Sequence, residues 1–194
     1  MYLMLKRLFD ITASLFGIFL LAPLFIVLAC AIKATSPGPA FFKQKRVGRG
    51  KKFFSMVKFR SMRADAPSDT PTHLLQNPYS CITAIGRFLR KSSLDELPQL
   101  FNILSGHMSI VGPRPALWNQ DDLVAERDRY GANDIRPGLT GLAQIKGRDE
   151  LSIDVKAAYD GEYVKKMSFL FDFWIIFRTL FSVTRAEGVK EGPG

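Results

Sequence analysis

The stretch Ile11-Thr-Ala-Ser-Leu-Phe-Gly-Ile-Phe-Leu-Leu-Ala-Pro23-Leu-Phe-Ile-Val-Leu-Ala-Cys-Ala-Ile32 decides how this chain is built, because its 22 residues carry no charge. Lys6, Arg7 and Asp10 precede it and Lys33 follows. That length suffices for one bilayer-crossing helix, and no other stretch is long enough, which excludes a multi-span protein. Pro23 stands near the middle. A proline removes an intrahelical hydrogen bond and crowds the preceding turn, so a kink is predicted there. Both flanks are basic, and a span would export either Lys6 and Arg7 or everything after Lys33, against the positive-inside rule. A helix broken at Pro23 could instead dip into the bilayer and return. The residues alone leave span and hairpin open. A secretory signal fits poorly, because the apolar core is long and Ala34-Thr35-Ser36 is a weak cleavage site.

Outward from this segment the charge is uneven. The chain has 194 residues, 47% hydrophobic with 16 Phe, which excludes intrinsic disorder. Two cysteines, Cys30 and Cys81, and two histidines, His73 and His107, exclude a disulfide scaffold and a zinc site of Cys/His spacing. The net charge is +9, yet ten basic and no acidic residues lie between Lys33 and Arg63, while the chain from Asp65 onward nets −2. A basic block beside an apolar N-terminus favours an anionic membrane surface or a phosphate-rich ligand.

Beyond the turn Pro37-Gly38-Pro39, Ala40–Val47 and Lys52–Phe59 read as the strands of a basic hairpin around Gly48-Arg49-Gly50. Residues 64 to 80 read as a polar loop and Ile85–Lys91 as a helix. Ser93 fits an N-cap with Glu96 at the third position of a capping box, and Pro98 falls in the first turn of that helix. Helices are expected over Leu117–Arg129 and Val155–Lys166, and a strand over Leu142–Lys146. Ser168–Thr184, with six aromatics, reads as an interfacial amphipathic helix. The expected fold class is α/β and mainly helical: a membrane segment over residues 1–36, and over 37–194 a small body with a short β-hairpin and amphipathic helices lying on the membrane.

The candidates for chemistry are few. Asp95 and Glu96 are adjacent, about 100° apart around a helix, so they do not face one another, and both suit a helix start without any further role. Arg87, Arg90 and Lys91 come just before, and an acid so placed is expected to be ionised. An ionised aspartate is a competent nucleophile toward phosphorus and a hard ligand for Mg²⁺. Arg114, fixed between Pro113 and Pro115, suits bidentate recognition of phosphate, or a plain structural role in a turn. Lys58 and Arg60 fall on one face of a strand, which suits a diphosphate or a solvated face. Arg136 and Arg148 flank the Gly138–Gly141 turn as further candidates. No P-loop, GxGxxG, GxSxG or HExxH is present.

In order along the chain, Lys6-Arg7-Leu-Phe-Asp10, the Pro23-broken segment, Lys58-Phe-Arg-Ser-Met62, Ser93-Leu-Asp-Glu-Leu-Pro-Gln-Leu-Phe-Asn102, Met108-Ser-Ile-Val-Gly-Pro-Arg-Pro115, Arg136-Pro-Gly-Leu-Thr-Gly-Leu-Ala-Gln144, Gly147-Arg148 and Tyr163 through Asp172 resemble the bacterial sugar transferases, the monotopic phosphoglycosyl transferases. The resemblance runs from about residue 3 to 185, and it is the ordered set that is specific. It implies transfer of a sugar 1-phosphate from a UDP-sugar to polyprenyl (undecaprenyl) phosphate at the cytoplasmic face of the bacterial inner membrane, releasing UMP and initiating a lipid-linked glycan. It implies Asp95 as nucleophile and contact for Mg²⁺, with Glu96 as its partner. Arg114 holds the nucleotide end, with Lys58, Arg60, Arg90, Arg136 and Arg148 as candidate substrate contacts. Ala22-Pro23 becomes the break of a re-entrant membrane helix. Membrane lipid is an implied partner, and a homo-oligomer is compatible with the sequence. His107 and Leu142 depart from the family pattern, where an acid and a tryptophan are common.

A second class of reading is a non-catalytic protein that binds anionic lipid through its basic block and aromatic C-terminal helix. It leaves the joint presence of Asp95-Glu96 and Pro113-Arg114-Pro115 unexplained. A nucleic-acid partner is not expected, because the apolar segment and the absence of a binding motif argue against it.

Overall fold

The computed structural model describes residues 1–67, 78–147 and 150–185. Helix α1 spans Tyr2–Thr35, about 51 Å at 1.5 Å per residue. It runs unbroken through Pro23, where the sequence led us to expect a break. Pro23 is exposed, and the helix on either side tolerates one missing hydrogen bond. Both halves of α1 pack on the body. Near its start Lys6, Asp10 and Ser14 are buried, and near its end Phe25, Leu28 and Ile32 join Ala40, Phe59 and Leu89 in a core cluster. Each such apolar side chain contributes about 1.5–3 kcal/mol by burial.

Strands β1 (Phe41–Val47) and β2 (Phe53–Phe59) form the expected antiparallel hairpin, with Phe41 opposite Phe59 and Val47 opposite Phe53. Its tip is fixed to the body: the Gly50 amide donates to the Asn133 carbonyl at 2.7 Å, and Lys51 pairs with Asp128 at 2.9 Å. One part of the expected 64–80 loop is a short helix, α2 (Pro78–Cys81), and residues 68–77 lie outside the described residues. Helix α3 (Ala84–Lys91) follows, capped by the Thr83 hydroxyl, which accepts from the Gly86 amide.

Three local expectations are corrected. The capping box at Ser93 does not form. Ser93 takes a left-handed conformation (φ 56°) without a side-chain cap, and Leu94–Glu96 make one 3-10 turn before helix α4 (Gln99–Leu104). The Glu96 carboxylate is drawn elsewhere, to two cations described below. Leu142–Lys146 is not a strand but helix α6, and the strand lies just before it: β4 (Gly138–Thr140), parallel to β3 (Ser109–Val111). The reason is steric. A Cβ on Gly138 would stand 2.1 Å from the Gly112 nitrogen and one on Gly141 2.2 Å from the Gly112 oxygen, so glycine permits this close backbone pairing. Helix α5 is shorter than expected, Asp121–Asp128, because the Leu117 amide is taken by the Gln120 side chain at 2.8 Å and the intervening residues form a turn.

Helices α7 (Ile153–Lys166) and α8 (Phe169–Arg185) are the last elements of the described residues. Val111, Leu142, Tyr163 and Ile175 form a core where β3, α6, α7 and α8 meet. Asp172 fastens α8 to α1. Its carboxylate accepts from Lys6 at 2.7 Å, Tyr2 at 2.8 Å and Tyr163 at 2.7 Å. Burial first, and then the Asp172 charge, push the Tyr163 hydroxyl far above its ordinary value, so it remains a donor.

Candidate functional site

The Asp95 cluster is assembled from four segments. The 3-10 turn after α3 presents Asp95 and Glu96, both buried. Strand β2 presents Lys58 near its end, opposite Phe42. The segment after β3 presents Arg114. Its position is set by the parallel pairing, in which the Gly112 amide donates to the Thr140 carbonyl at 2.9 Å and the Gly138 amide to the Pro113 carbonyl at 2.8 Å. Arg46 then holds the Pro115 carbonyl at 2.9 Å, so both prolines around Arg114 are tethered. Arg90 comes from the last turn of α3.

Glu96 is the hub. Its Oε1 accepts from Lys58 Nζ and from Arg114 Nη2, each at 2.8 Å. Asp95 lies in the field of Lys58, Glu96, Arg90 and Arg114. The sequence led us to expect an ionised carboxyl, from Arg87, Arg90 and Lys91 just before it. Burial raises its pKa above the ordinary value, with Lys58 opposing and Glu96 adding to the rise. Burial likewise holds the Lys58 ammonium below its ordinary value, with Glu96 opposing. Such a pair of environments, a carboxyl raised and a lysine lowered within one cluster, is the pattern of reactive sites. The left-handed Ser93 just before Asp95 adds local backbone strain at the same place.

The donor set suits a magnesium ion. Mg²⁺ takes one or two carboxylates and completes its shell with water and substrate phosphates. Asp95 offers such a carboxylate, while Glu96 Oε1 is occupied by two cations. Among the described residues no three His, Cys, Asp or Glu gather, so a closed all-protein cage is not built there.

The remaining candidates divide. The structure brings together Asp95, Glu96, Lys58, Arg90 and Arg114. Arg60 does not join them: it is buried, donating to the Pro37 carbonyl at 2.5 Å and to the Ser36 carbonyl and hydroxyl at 2.8 Å. Lys58 and Arg60 therefore diverge rather than clamp one diphosphate, and Arg60 fixes the turn after α1. Arg136 donates to the Gly106 carbonyl at 2.9 Å in a different cleft, near Arg7 and Arg49. Arg148 lies outside the described residues. His107 stacks on Phe54 at 5.7 Å, and Leu142 is buried in the β3–α8 core. Sequence reasoning missed the service done by Lys6 and Asp172. Their ion pair spans 166 positions, and only a charged residue within each of two apolar helices hinted at it.

Compared with known proteins, residues 1–186 match the family described as bacterial sugar transferase. The exopolysaccharide production protein PSS of Rhizobium leguminosarum bv. phaseoli is 42% identical over 97% of this chain and 100% of its own length. The exopolysaccharide production protein ExoY of Sinorhizobium fredii is 35% identical over 94% of this chain and 87% of its own. The undecaprenyl-phosphate galactose phosphotransferase of Salmonella typhimurium is 39% identical over 95% of this chain, which spans only 41% of that relative's length.

Proposed function

The chain belongs to the bacterial sugar transferase family and is a transferase, and on that premise we propose that it moves a sugar 1-phosphate from a UDP-sugar to polyprenyl (undecaprenyl) phosphate at the cytoplasmic face of the membrane. The observation that carries this reading is the buried Asp95 beside a Glu96 clamped by Lys58 and Arg114. In the first step an Asp95 carboxylate oxygen attacks the sugar-bearing phosphorus of the donor. The bond to the bridging oxygen breaks, and UMP leaves with that electron pair. In the second step a phosphate oxygen of the polyprenyl acceptor attacks the same phosphorus and returns the Asp95 carboxylate. Lys58, Arg90 and Arg114 neutralise the charge on the transferring phosphoryl and on the departing nucleotide, which is the larger part of catalysis in phosphoryl transfer. Glu96, engaged by two cations, orients Lys58 and Arg114 toward the donor. Mg²⁺ bound with the donor at Asp95 supplies further neutralisation of the pyrophosphate.

Helix α1 and the outer face of α8 form the membrane contact. Leu15, Phe16, Phe19, Leu20 and Ile26 on α1, and Leu170, Phe177 and Leu180 on α8, are exposed. Phe9 and Phe173 touch edge to face at 5.5 Å, so the two apolar surfaces adjoin. This supports a shallow anchor bent at Pro23 that keeps both ends of α1 on one side, placing the site at the level of the lipid phosphate.

The test is UMP release from a panel of UDP-sugars, with and without polyprenyl phosphate, in wild type and Asp95→Asn. Expected are release with one preferred sugar, a stoichiometric burst without acceptor, and loss of both in the variant. Turnover retained by Asp95→Asn removes Asp95 as nucleophile. Silence of the folded, membrane-bound wild type across the panel withdraws the donor class and favours the lipid-binding reading.

A further inference from the structure

A second basic cleft lies where the start of α1, the hairpin tip and the approach to β4 meet. Arg7, Arg49 and Arg136 line it, and its volume is about 70 Å³. A single water needs roughly 10–15 Å³ on the same measure, so the cleft admits a tetrahedral oxyanion. It is distinct from the Asp95 cluster: none of Asp95, Glu96, Lys58, Arg90 and Arg114 lines it.

The three guanidinium groups are positioned by backbone carbonyls. Arg7 donates to the Ile103 and Leu104 carbonyls at 2.6 and 2.9 Å, Arg49 to the Asp134 carbonyl at 2.9 Å, and Arg136 to the Gly106 carbonyl at 2.9 Å. Among the described residues none of the three forms an ion pair with a carboxylate. Two acids also line the cleft, Asp10 and Asp134, but one Asp10 oxygen is engaged by the Ile110 amide at 3.0 Å. The fourth cation, Lys6, is committed to Asp172. Burial, followed by the like charges of Arg7 and Arg49, holds Arg136 below its ordinary value, with Asp10 opposing. With Lys6 taken by Asp172, three arginines face two carboxylates, so the cleft keeps an excess of positive charge.

An independent observation points to a ligand. Ser109 lines the same cleft, is 2% exposed, and its hydroxyl is buried with no hydrogen-bond partner. Buried hydroxyls without a partner are uncommon and costly. A phosphate oxygen would satisfy this one while accepting from the arginines.

We propose that this cleft is a second phosphate-binding site, separate from the Asp95 cluster, in which Arg7, Arg49, Arg136 and the Ser109 hydroxyl hold a phosphate oxyanion. The phosphate comes either from a lipid headgroup or from a free phosphate. Leu3 and Met167 line the cleft too, and Leu3 is exposed on the membrane-facing helix α1, which favours a headgroup. A larger open cleft of about 460 Å³ adjoins it through Arg49 and Arg136 and is lined by Phe53, Phe54 and His107, leaving room for the rest of a headgroup. The inference does not depend on the chemistry assigned to Asp95.

The experiment measures the thermal midpoint of the purified full chain in neutral detergent, titrated with a short-chain phosphatidylglycerol and, separately, with inorganic phosphate. A ligand that binds only the folded state raises the midpoint saturably. Arg49→Gln, Arg136→Gln and Ser109→Ala are compared with wild type and with Lys33→Gln/Lys43→Gln, which removes two exposed charges outside the cleft. Expected is a saturable rise that needs about tenfold more ligand in either arginine variant, the loss of a charged hydrogen bond, and a smaller weakening in Ser109→Ala, with the control pair unchanged. A response to the lipid alone assigns a headgroup. A response to inorganic phosphate with the same dependence on the variants assigns a free phosphate. No saturable rise with either probe overturns the site, and so does a rise that the control pair weakens as much as Arg49→Gln does. Arg49 is exposed and Ser109→Ala removes one atom, so both variants keep the test valid if Arg136→Gln fails to fold.

Discussion

At the scale of the residue, Asp95 is placed where its charge is disfavoured. A carboxyl whose folded-state value is raised binds its proton more tightly in the folded than in the unfolded chain, so stability falls as pH rises through that interval. At neutral pH the ionised group therefore costs stability. Asp95→Asn is expected to abolish UMP release and to raise the melting temperature by roughly 2–4 °C, the shift for about 1 kcal/mol in a chain of this size. A melting temperature that falls would show that Asp95 is a structural ion-pair partner. The pH dependence carries the same sign. The nucleophile is lost on the acid side as its carboxyl takes up a proton, and Lys58 holds that carboxyl lower than burial alone would. Lys58→Met is expected to move the acid limb of kcat/KM to higher pH, beyond any fall in kcat, and an unmoved limb would separate Lys58 from Asp95. The sequence made Asp95, Glu96, Lys58 and Arg114 visible as residue types in suggestive settings. It could not show that Glu96 joins the other two, because those bonds cross 38 and 18 positions. Nor could it show the upward shift of Asp95, since burial is a property of the assembled fold.

At the scale of the element, what was legible was what repeats locally. The hairpin announced itself through alternation and a glycine turn, and α3, α7 and α8 through helical apolar spacing. Leu142–Lys146 was misread because a short apolar run has no period of its own, and the deciding contact is a backbone approach near Gly112. Interactions between elements were least legible, and the ties of α1 and of α5 are of this kind. Lys6–Asp172 and Arg127–Asp160 are buried pairs, at 2.7 and 2.6 Å, joining α1 to α8 and α5 to α7. Removing one member of a buried pair leaves an uncompensated charge, at about 3–5 kcal/mol, whereas replacing both by apolar groups is often neutral. Asp172→Asn is therefore expected to lower stability by that amount in a melting experiment. Lys6→Met/Asp172→Leu should recover more than half of it. Equal losses in the single and double variants would mean that Tyr2 and Tyr163, not Lys6, carry the contact.

At the scale of the whole molecule, the question is how a helix of 34 residues sits relative to its own body. A hydrocarbon core is about 30 Å thick, so α1 is long enough to cross it. A crossing helix would touch a soluble body at one end only. Here Lys6 and Asp10 meet α8 and β3, Phe25 stacks obliquely on Phe59 at 5.4 Å, and Ile32 is fully buried at the far end. Both ends are thus fastened to one unit, while the stretch between them and α8 leave apolar side chains outward, among them Leu15, Phe16, Phe19, Leu20 and Leu180. A proline bends a helix without ending it, so the proposed re-entrant anchor would turn back at Pro23. Reporter cysteines at exposed positions test this directly. In a background carrying Cys30→Ala and Cys81→Ala, Met4→Cys and Ala34→Cys stand at the two ends of α1. Intact spheroplasts treated with a membrane-impermeant maleimide should leave both unlabelled, and lysis should expose both. Labelling of one end in intact cells would require α1 to cross the bilayer, and the body could then keep its contacts with both halves of the helix only by entering the membrane itself.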